Sequence, residues 1–170
     1  MMSLWVTGVT ILLNLTIEPW RAINDNVMGG ISSGEMVEID EGLRFQGQLS
    51  LENNGGFASV RRLVDADLSQ ATGIRLSIRG DDRRYQMRLR QDRQFDGVAW
   101  SLAFDAKSAW QLVELQFSDF KPVFRGRDVP SAGPVIPGEI AQIGFLLADK
   151  KPGRFYLDIR LIEFITADPH

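Results

Sequence analysis

The sequence predicts an all-β protein in which short strands form a sandwich or a barrel. No long stretch has helical periodicity, and apolar and polar residues instead alternate in short segments, most clearly in residues 73–79 and 84–90. About ten such segments follow one another at spacings of roughly 8–12 residues, which is typical of sandwiches and barrels. Glycine, asparagine and aspartate separate most of them. We therefore expect fewer than about one residue in ten in α-helix.

The expected strands cover most of the chain. Their apolar positions alternate with polar ones, so one face of each strand should lie in the core. Gly80, Asp81 and Asp82 are expected to form a hairpin turn between two of them. The strands are residues 11–17, 34–39, 43–51, 57–63, 73–79, 84–90, 100–104, 112–117, 140–147 and 155–165. The side chains expected in the core include Ile74, Leu76, Ile78, Tyr85, Met87, Leu89, Leu102 and Phe104.

Residues 121–138 interrupt this pattern. Four of the seven prolines lie here: Pro122, Pro130, Pro134 and Pro137. Proline has no amide hydrogen to donate to a neighbouring strand, so we expect a long connection outside the sheets. Connections of this length in a compact domain are often functional.

The amino-acid composition excludes several classes of function but does not identify one. The 170 residues fit one domain, residues 1–170, and the net charge of −3 argues against a general nucleic-acid-binding protein. There is no cysteine, and the one histidine is the last residue, His170. Disulfides, thiolate nucleophiles, a Ser-His-Asp triad and histidine metal sites are therefore not expected. We predict no enzyme activity, no cofactor and no metal dependence, with an oxygen-ligated calcium left open.

The N-terminal residues 4–17 are apolar but interrupted by threonine and asparagine, and Ser3 precedes them. The segment is too short to span a bilayer and begins without lysine or arginine. A degenerate signal peptide is the alternative. We expect a soluble, cytoplasmic protein without a transmembrane segment, which can associate with a membrane surface.

Residues 20–62 contain two glycine pairs, Gly29-Gly30 and Gly55-Gly56, each preceded by asparagine or aspartate. Glycine accepts positive φ, and Asn and Asp side chains bond the backbone of tight turns, so both pairs indicate turns. The polar loop before the first pair is a binding candidate through Asn24, Asp25, Asn26 and Met28. In the alternative interpretation, Asn24 and Asp25 only order the turns.

Segments along most of the chain share one family pattern. After Trp20 these include NDNVMGGISSG, FQGQLSLENNGGFASVRR, RGDDRRYQMRLR, FDGVAW, FRGR and GFLLADKKPGRFYLDI. In these segments the chain resembles the complex I intermediate-associated protein 30 family from about Trp20 to Ile162. The resemblance implies a jelly-roll β-sandwich of the galactose-binding type, and a chaperone-like role in respiratory complex I assembly. Leu13, Asn14 and Leu15 depart from the family, which usually has an aromatic–Asp pair there.

Two arginine-containing segments are further binding candidates. The outward side of residues 73–90 would carry Arg75, Arg79, Arg84, Gln86, Arg88 and Arg90, of which we select Arg84 and Arg88. Guanidinium groups bind carboxylates, phosphates and sugar hydroxyls, although a solvated sheet face is the simpler explanation. In the proline-rich segment, Phe124, Arg125 and Arg127 are the residue types of interface hot spots. The alternative is an ordinary solvated loop.

Three functions remain open. The first is a non-catalytic binding module that assists assembly of a larger complex, with complex I subunits or assembly intermediates as protein partners. The second is a module that binds carbohydrate or a small ligand, suggested by the fold alone. The third and weakest is a hydrolase that uses Asp25 with Glu35 or Asp96 as a carboxylate pair.

Overall fold

The protein is an antiparallel β-sandwich, as the sequence predicts. A computed structural model describes residues 10–166. Thirteen strands and five 3-10 turns, but no α-helix, occur in this range. None of its helices is long and apolar enough to cross a membrane. His170 lies outside the described residues.

One sheet has six strands. In chain order they are β1 (Thr10–Leu12), β3 (Ser33–Ile39), β4 (Gly42–Leu49), β6 (Ala71–Gly80), β9 (Gln111–Gln116) and β13 (Gly153–Thr166). The order across the sheet is β3-β4-β13-β6-β9, and β1 pairs with β13. The long β13 therefore forms the centre of this sheet. The predicted first strand, residues 11–17, is shorter than expected.

The other sheet has seven strands. They are β2 (Arg21–Ala22), β5 (Ala58–Leu63), β7 (Arg84–Arg90), β8 (Ala99–Asp105), β10 (Lys121–Phe124), β11 (Arg127–Asp128) and β12 (Gln142–Leu147). The order across the sheet is β11-β10-β8-β7-β12-β5-β2. The 3-10 turns are Asp25–Met28, Glu52–Asn54, Phe117–Asp119, Pro130–Ala132 and Pro137–Glu139.

A single apolar cluster lies between the sheets. Most of the predicted core side chains have no exposed surface: Ile74, Leu76 and Ile78 on β6, and Tyr85, Met87 and Leu89 on β7. Phe104 is also buried, whereas Leu102 is half-buried and packs against the cluster. The expected strand register is therefore confirmed, because a shift of one residue would turn every one of these side chains outward.

The predicted hairpin at Gly80, Asp81 and Asp82 is wrong. β6 pairs with β9 and β13, whereas β7 pairs with β8 and β12, so this turn crosses from one sheet to the other. Asp81 fastens the crossing, because its carboxylate accepts hydrogen bonds from the backbone N–H of Tyr156 (2.8 Å) and the hydroxyl of Tyr85 (3.1 Å). The arginines of β6 and those of β7 consequently lie on opposite outer faces.

The expectation that residues 121–138 stay outside the sheets is wrong for the first part of this segment. β10 and β11 form a hairpin there, and β10 pairs with β8. Pro122 is tolerated because it lies next to the sheet edge and uses its carbonyl, which accepts a hydrogen bond from Val129 N at 3.0 Å. The later prolines lie in two 3-10 turns and the segments around them.

Candidate functional site

A cleft of about 620 Å³ lies on the outer face of the seven-stranded sheet. Outward side chains of β5, β7 and β12 form its floor. The loop between β7 and β8, residues 91–98, forms one wall, and the turn between β10 and β11 forms another. The residues that line the cleft include Ile23, Phe57, Arg61, Arg88, Arg90, Phe95, Asp96, Arg125 and Leu146.

The loop wall is held in place by side chains from the floor. Gln142 Nε2 donates to the carbonyl oxygens of Asp92 (2.8 Å) and Gln94 (2.9 Å). Arg61 Nη1 donates to the Phe95 carbonyl at 2.7 Å, and Arg90 Nη1 donates to the Gly97 carbonyl at 3.0 Å. The Arg61 guanidinium also lies 5.2 Å from the centre of the Phe95 ring. The cleft is therefore built rather than an accidental gap between loops.

The cleft is strongly cationic although the protein is acidic. Its lining contains four arginines and one aspartate, a net charge of +3, while the whole chain carries −3. The single aspartate, Asp96, is already paired with Arg125 at the rim (2.6 Å). Deeper in the cleft, Arg88 donates from Nε (3.1 Å) and Nη2 (2.9 Å) to the Oε1 atom of Gln86, a neutral acceptor.

Burial lowers the pKa values of these cations, and for two of them neighbouring arginines add to the effect. Burial, reinforced by the charge of Arg90, lowers the pKa of Arg88 to about 10. Burial also lowers the pKa of Arg61 to about 10, with Arg90 and Arg21 contributing. The pKa of Arg90 is lowered too, mainly by burial, although Asp92 and Asp96 act in the opposite direction. All three remain charged at neutral pH, so the cleft holds cations that would be better solvated outside it.

The structure brings together two of the predicted binding arginines. Arg88 and Arg125 line the same cleft. Arg84 does not, since it lies at the other end of β7, pairs with Asp105 at 3.0 Å and leaves 62% of its side chain exposed. Phe124 is half-buried under the Arg125 guanidinium, which lies 5.1 Å from the ring centre, and Arg127 is exposed on β11. Phe124, Arg125 and Arg127 therefore form a patch on the rim, which we call the rim patch.

The polar loop at residues 24–28 has a different character. Asp25 has no exposed surface, and its carboxylate accepts hydrogen bonds from Ser32 N (2.9 Å), Ser32 Oγ (2.5 Å) and Gly56 N (2.7 Å). Asn24 Oδ1 accepts from Ser59 N (3.1 Å), while its Nδ2 donates to the Gly34 carbonyl (3.2 Å). These bonds favour the alternative interpretation, in which Asn24 and Asp25 order the turns.

One glycine of each pair is explained by the same carboxylate. A Cβ atom at Gly55 would lie 2.5 Å from Asp25 Oδ2, and one at Gly30 would overlap the carboxylate itself. Gly29 has a φ of +90°, a left-handed conformation that suits glycine. Both turns therefore close around Asp25, whose side chain joins segments about thirty residues apart.

Hydrogen bonding sets the ionisation of Asp25. Burial would raise the pKa of its carboxyl, but the donors from Ser32, Gly56 and Phe57 hold that pKa below its usual value. The hydrogen-bond partners of Asp25 are a hydroxyl and backbone amides. This arrangement does not favour a catalytic carboxylate pair with Glu35 or Asp96. Asn26 is exposed, and the side chain of Met28 lies outside the described part of the structure. In residues 10–166, no group of three or more acidic or histidine side chains is placed to hold a metal ion.

Sequence reasoning missed Arg61, Arg90 and Phe95 as lining residues. Arg61 lies within one predicted strand and Arg90 ends another, but they come together only because β12 lies between β5 and β7. β12 follows β7 by about fifty residues, and nothing in the local pattern reveals that order.

The chain is similar in sequence and in fold to known proteins. The sequence model of the family described as complex I intermediate-associated protein 30 matches residues 13–159. The chain belongs to this family. The match covers most of both sheets and every segment that lines the cleft, so the resemblance inferred from the sequence motifs is confirmed.

One curated relative is the mouse protein named complex I intermediate-associated protein 30, mitochondrial. It is 28% identical over 177 residues, covering 91% of this chain and 54% of the mouse protein. The chain thus spans about half of that relative's length. An uncharacterized Schizosaccharomyces pombe protein, C9E9.15, is 25% identical over 150 residues, with 76% of this chain and 68% of that protein covered.

Solved structures show the same fold. The family 11 carbohydrate-binding module of a Clostridium thermocellum cellulosomal cellulase superposes with a TM-score of 0.71 and 21% identity, covering 96% of this chain and 98% of that one. A family 11 module from the same organism, in complex with a β-1,3-1,4-mixed-linked tetrasaccharide, has a TM-score of 0.69 at 21% identity, covering 97% and 99% of the two chains. A family 30 module reaches 0.64 with 9% identity, covering 95% and 99%. The jelly-roll β-sandwich predicted from the sequence is confirmed.

Proposed function

We propose that this chain is a non-catalytic binding module that assists the assembly of respiratory complex I by holding a protein partner. The observation that carries the proposal is membership of the family over residues 13–159. The mouse relative is named for an intermediate of complex I. The cytoplasmic location predicted from the sequence stays a prediction, since the name of that relative places the mouse protein in mitochondria.

The rim patch is the surface that we propose for the partner. The Arg125 side chain is 72% exposed, and its backbone has a φ of +51° at the tip of the β10–β11 turn. Arginine and aromatic side chains supply most of the energy in protein interfaces. Asp96 holds the Arg125 guanidinium in position, so little side-chain freedom is left to lose on binding. Arg127 lies opposite Phe124 in the register of the same hairpin and adds a second positive charge to it.

Capture of named complex I subunits tests this proposal. The tagged chain is used to isolate partners from detergent-solubilised membranes of its source organism, and complex I subunits are quantified by mass spectrometry. We expect them to be enriched with the wild-type protein. The Arg125→Ala, Arg127→Ala double variant should reduce their recovery about tenfold, as loss of two interface arginines implies.

The matched control is a Lys107→Ala, Arg154→Ala double variant. It also removes two positive charges from exposed positions, but neither residue lines the cleft or belongs to the rim patch. Its recovery of complex I subunits should equal that of the wild type. The proposal fails if no complex I subunit is enriched. If both double variants lose recovery equally, the partner responds to overall charge and the rim patch is not its surface.

Carbohydrate binding is a second candidate, favoured by one specific feature. Phe95 is 54% exposed at the mouth of the cleft and could stack on a sugar ring. One face of its ring is already covered by Arg61, which leaves less aromatic surface for a sugar. A titration with a soluble β-1,3-1,4-mixed-linked glucan tests this candidate. Binding that is lost in Phe95→Ala would favour it over the assembly function.

A further inference from the structure

Three arginines surround one glycine on the floor of the cleft. Gly144 on β12 lies opposite Arg61 on β5 and also opposite Arg88 on β7. Since neighbouring strands lie about 4.8 Å apart, the two arginines arise about 10 Å from each other, across a residue without a side chain. Arg90 lies two residues after Arg88 on β7, on the same face, opposite Gln142.

A small hollow lies over Gly144. Its volume is about 30 Å³, which accommodates one or two groups the size of a water molecule. Arg61, Arg88 and Arg90 flank it, and these three residues also line the larger cleft, so the hollow opens into that cleft. A sugar ring is too large for this space, whereas the oxygen atoms of a carboxylate or phosphate suit it.

The three guanidinium groups are held by neutral acceptors only. Arg88 bonds to the Gln86 side chain, and Arg61 and Arg90 each use one Nη1 atom to bond a backbone carbonyl. None of the three takes part in the ion pairs found among residues 10–166. A guanidinium has five N–H donors, so most of these donors remain available.

The nearby carboxylates do not neutralise the hollow. Asp96 is held by Arg125 at the rim, and Asp92 is exposed, although both still attract Arg90. Arg21, which lies opposite Arg61 on β2, adds another positive charge to the same row. Clustered cations in a partly desolvated cleft weaken a fold unless something balances them.

We propose that this hollow, which we call the arginine hollow, is a binding subsite for a small organic anion. Its carboxylate or phosphate oxygens would accept hydrogen bonds from Arg61, Arg88 and Arg90. The apolar part of the ligand lies along Ile23, Phe57 and Leu146, which line the same cleft. A cleft of about 620 Å³ is in the size range of small-molecule sites. This subsite goes beyond the assembly function and does not depend on it.

Calorimetric titration of the purified full chain tests the proposal. The probes are inorganic phosphate, phenyl phosphate, phenylacetate and, as a neutral comparison, phenyl glucoside, all at constant ionic strength. We expect phenyl phosphate or phenylacetate to bind, and inorganic phosphate to bind more weakly because it lacks the apolar group. Phenyl glucoside should not bind measurably. Comparison of phenyl phosphate with phenylacetate also shows whether phosphate or carboxylate is preferred.

Variants locate the bound anion. Arg88→Gln should weaken the tightest-binding anion about tenfold or more, as expected when a charge-assisted hydrogen bond is lost. The matched control is Arg84→Gln, which removes the same charge from the same strand outside the cleft, and its affinity should stay within about twofold of wild type. Arg61→Gln provides a second test of the hollow if Arg88→Gln does not fold.

Several results would overturn the proposal. These are the absence of binding by all three anions at millimolar concentration, equal loss of affinity in Arg84→Gln and Arg88→Gln, or binding of phenyl glucoside as tight as that of phenyl phosphate. Because the titration uses the purified chain, its outcome is separate from the capture of complex I subunits. The assembly function can therefore fail while the anion subsite stands, and the reverse also holds.

Discussion

The two outer faces of the sandwich both carry arginines, but in different surroundings. On the six-stranded sheet, Arg44 and Arg79 share the carboxylate of buried Asp158, at 2.6 and 2.8 Å. Beside them, Arg75 binds Glu114 at 2.6 Å and Glu163 at 2.7 Å. On the seven-stranded sheet, the arginines of the hollow have only neutral acceptors. These arginines of the six-stranded face are paired with carboxylates, whereas the three arginines of the hollow keep their charges available for a ligand.

The presence or absence of neighbouring carboxylates distinguishes structural arginines from candidate binding arginines better than the number of arginines on each face does. Arginines whose charges are matched by carboxylates in the same sheet stabilise the fold and leave little for a ligand. Arginines gathered in a concave, partly buried place without counter-charges destabilise the fold, and such residues are retained at functional sites. On this basis we propose the cleft face as the binding surface and assign the six-stranded face a structural role.

The largest expected effects concern the core, where the two sheets should be alike. Leu76 on β6 and Leu89 on β7 both have no exposed surface. Leu76→Ala and Leu89→Ala should each lower the free energy of unfolding by roughly 2–5 kcal/mol, because each leaves a cavity. Urea denaturation measures both values. A loss below about half a kcal/mol at either site would show that the sheets differ inside as well as outside.

The next largest loss of stability is expected at Asp158, because it is a carboxylate shared by two arginines, whereas the arginines of the hollow have no such partner. Asp158→Asn should cost about 3 kcal/mol, because the buried carboxylate balances two arginines. Burial raises the pKa of Asp158, but hydrogen bonds from Arg44 and Arg79 outweigh it and the net shift is downward. A lowered folded-state pKa gives stability that is complete above about pH 4 and is lost as pH falls through the folded value.

The difference between wild type and Asp158→Asn should therefore shrink as the pH falls below about 4. Glu41→Gln is the control, because Glu41 is an exposed partner of Arg79 at 3.0 Å and should contribute about half a kcal/mol or less. Equal losses in the two variants at neutral pH would contradict the structural role of the six-stranded face.

A smaller effect is expected at Asp25, beside the cleft. Asp25→Ala should cost about 2 kcal/mol, since the Ser32 and Gly56 amides lose their acceptor. The affinity of the folded protein for the anion probe should be unchanged, because Asp25 does not line the cleft. Calorimetry corrected for the folded fraction measures this. Weaker binding by a stable Asp25→Ala variant would restore the binding role predicted for this loop.

The sequence predicted the strands and their inward faces because alternation is a local property. β7 was predicted with its observed ends, Arg84 and Arg90. The sequence failed at the crossing between β6 and β7, where Gly80 and two aspartates look the same in a hairpin and in a connection between sheets. The long-range pairings of β6 and β7 in different sheets distinguish the two, together with the bond from Tyr156 N to Asp81.

Only part of the site was predicted, again because sequence patterns are local and contacts between distant strands are not. Arg88 and Arg125 were identified from residue type, and both line the cleft. Asp25 was selected as a polar loop residue, but a buried acceptor and an exposed ligand group have the same sequence signature. The arginine hollow depends on a glycine of β12 lying between two distant strands, and strand order is not encoded in any local pattern.

The most direct measurement compares one arginine from each face, without ligand. Arg88→Met should leave the free energy of unfolding unchanged or raise it by about 1 kcal/mol. Gln86 keeps a donor in that variant, since Ser101 Oγ lies 2.8 Å from its Oε1 atom. Arg79→Met should lower the free energy by about 1–2 kcal/mol, because Asp158 loses one of its two arginines. In urea denaturation at neutral pH, the predicted result is a loss of stability for Arg79→Met and no loss, or a gain, for Arg88→Met. Equal destabilisation by both substitutions would contradict the claim that the cleft face holds unbalanced charge for a ligand.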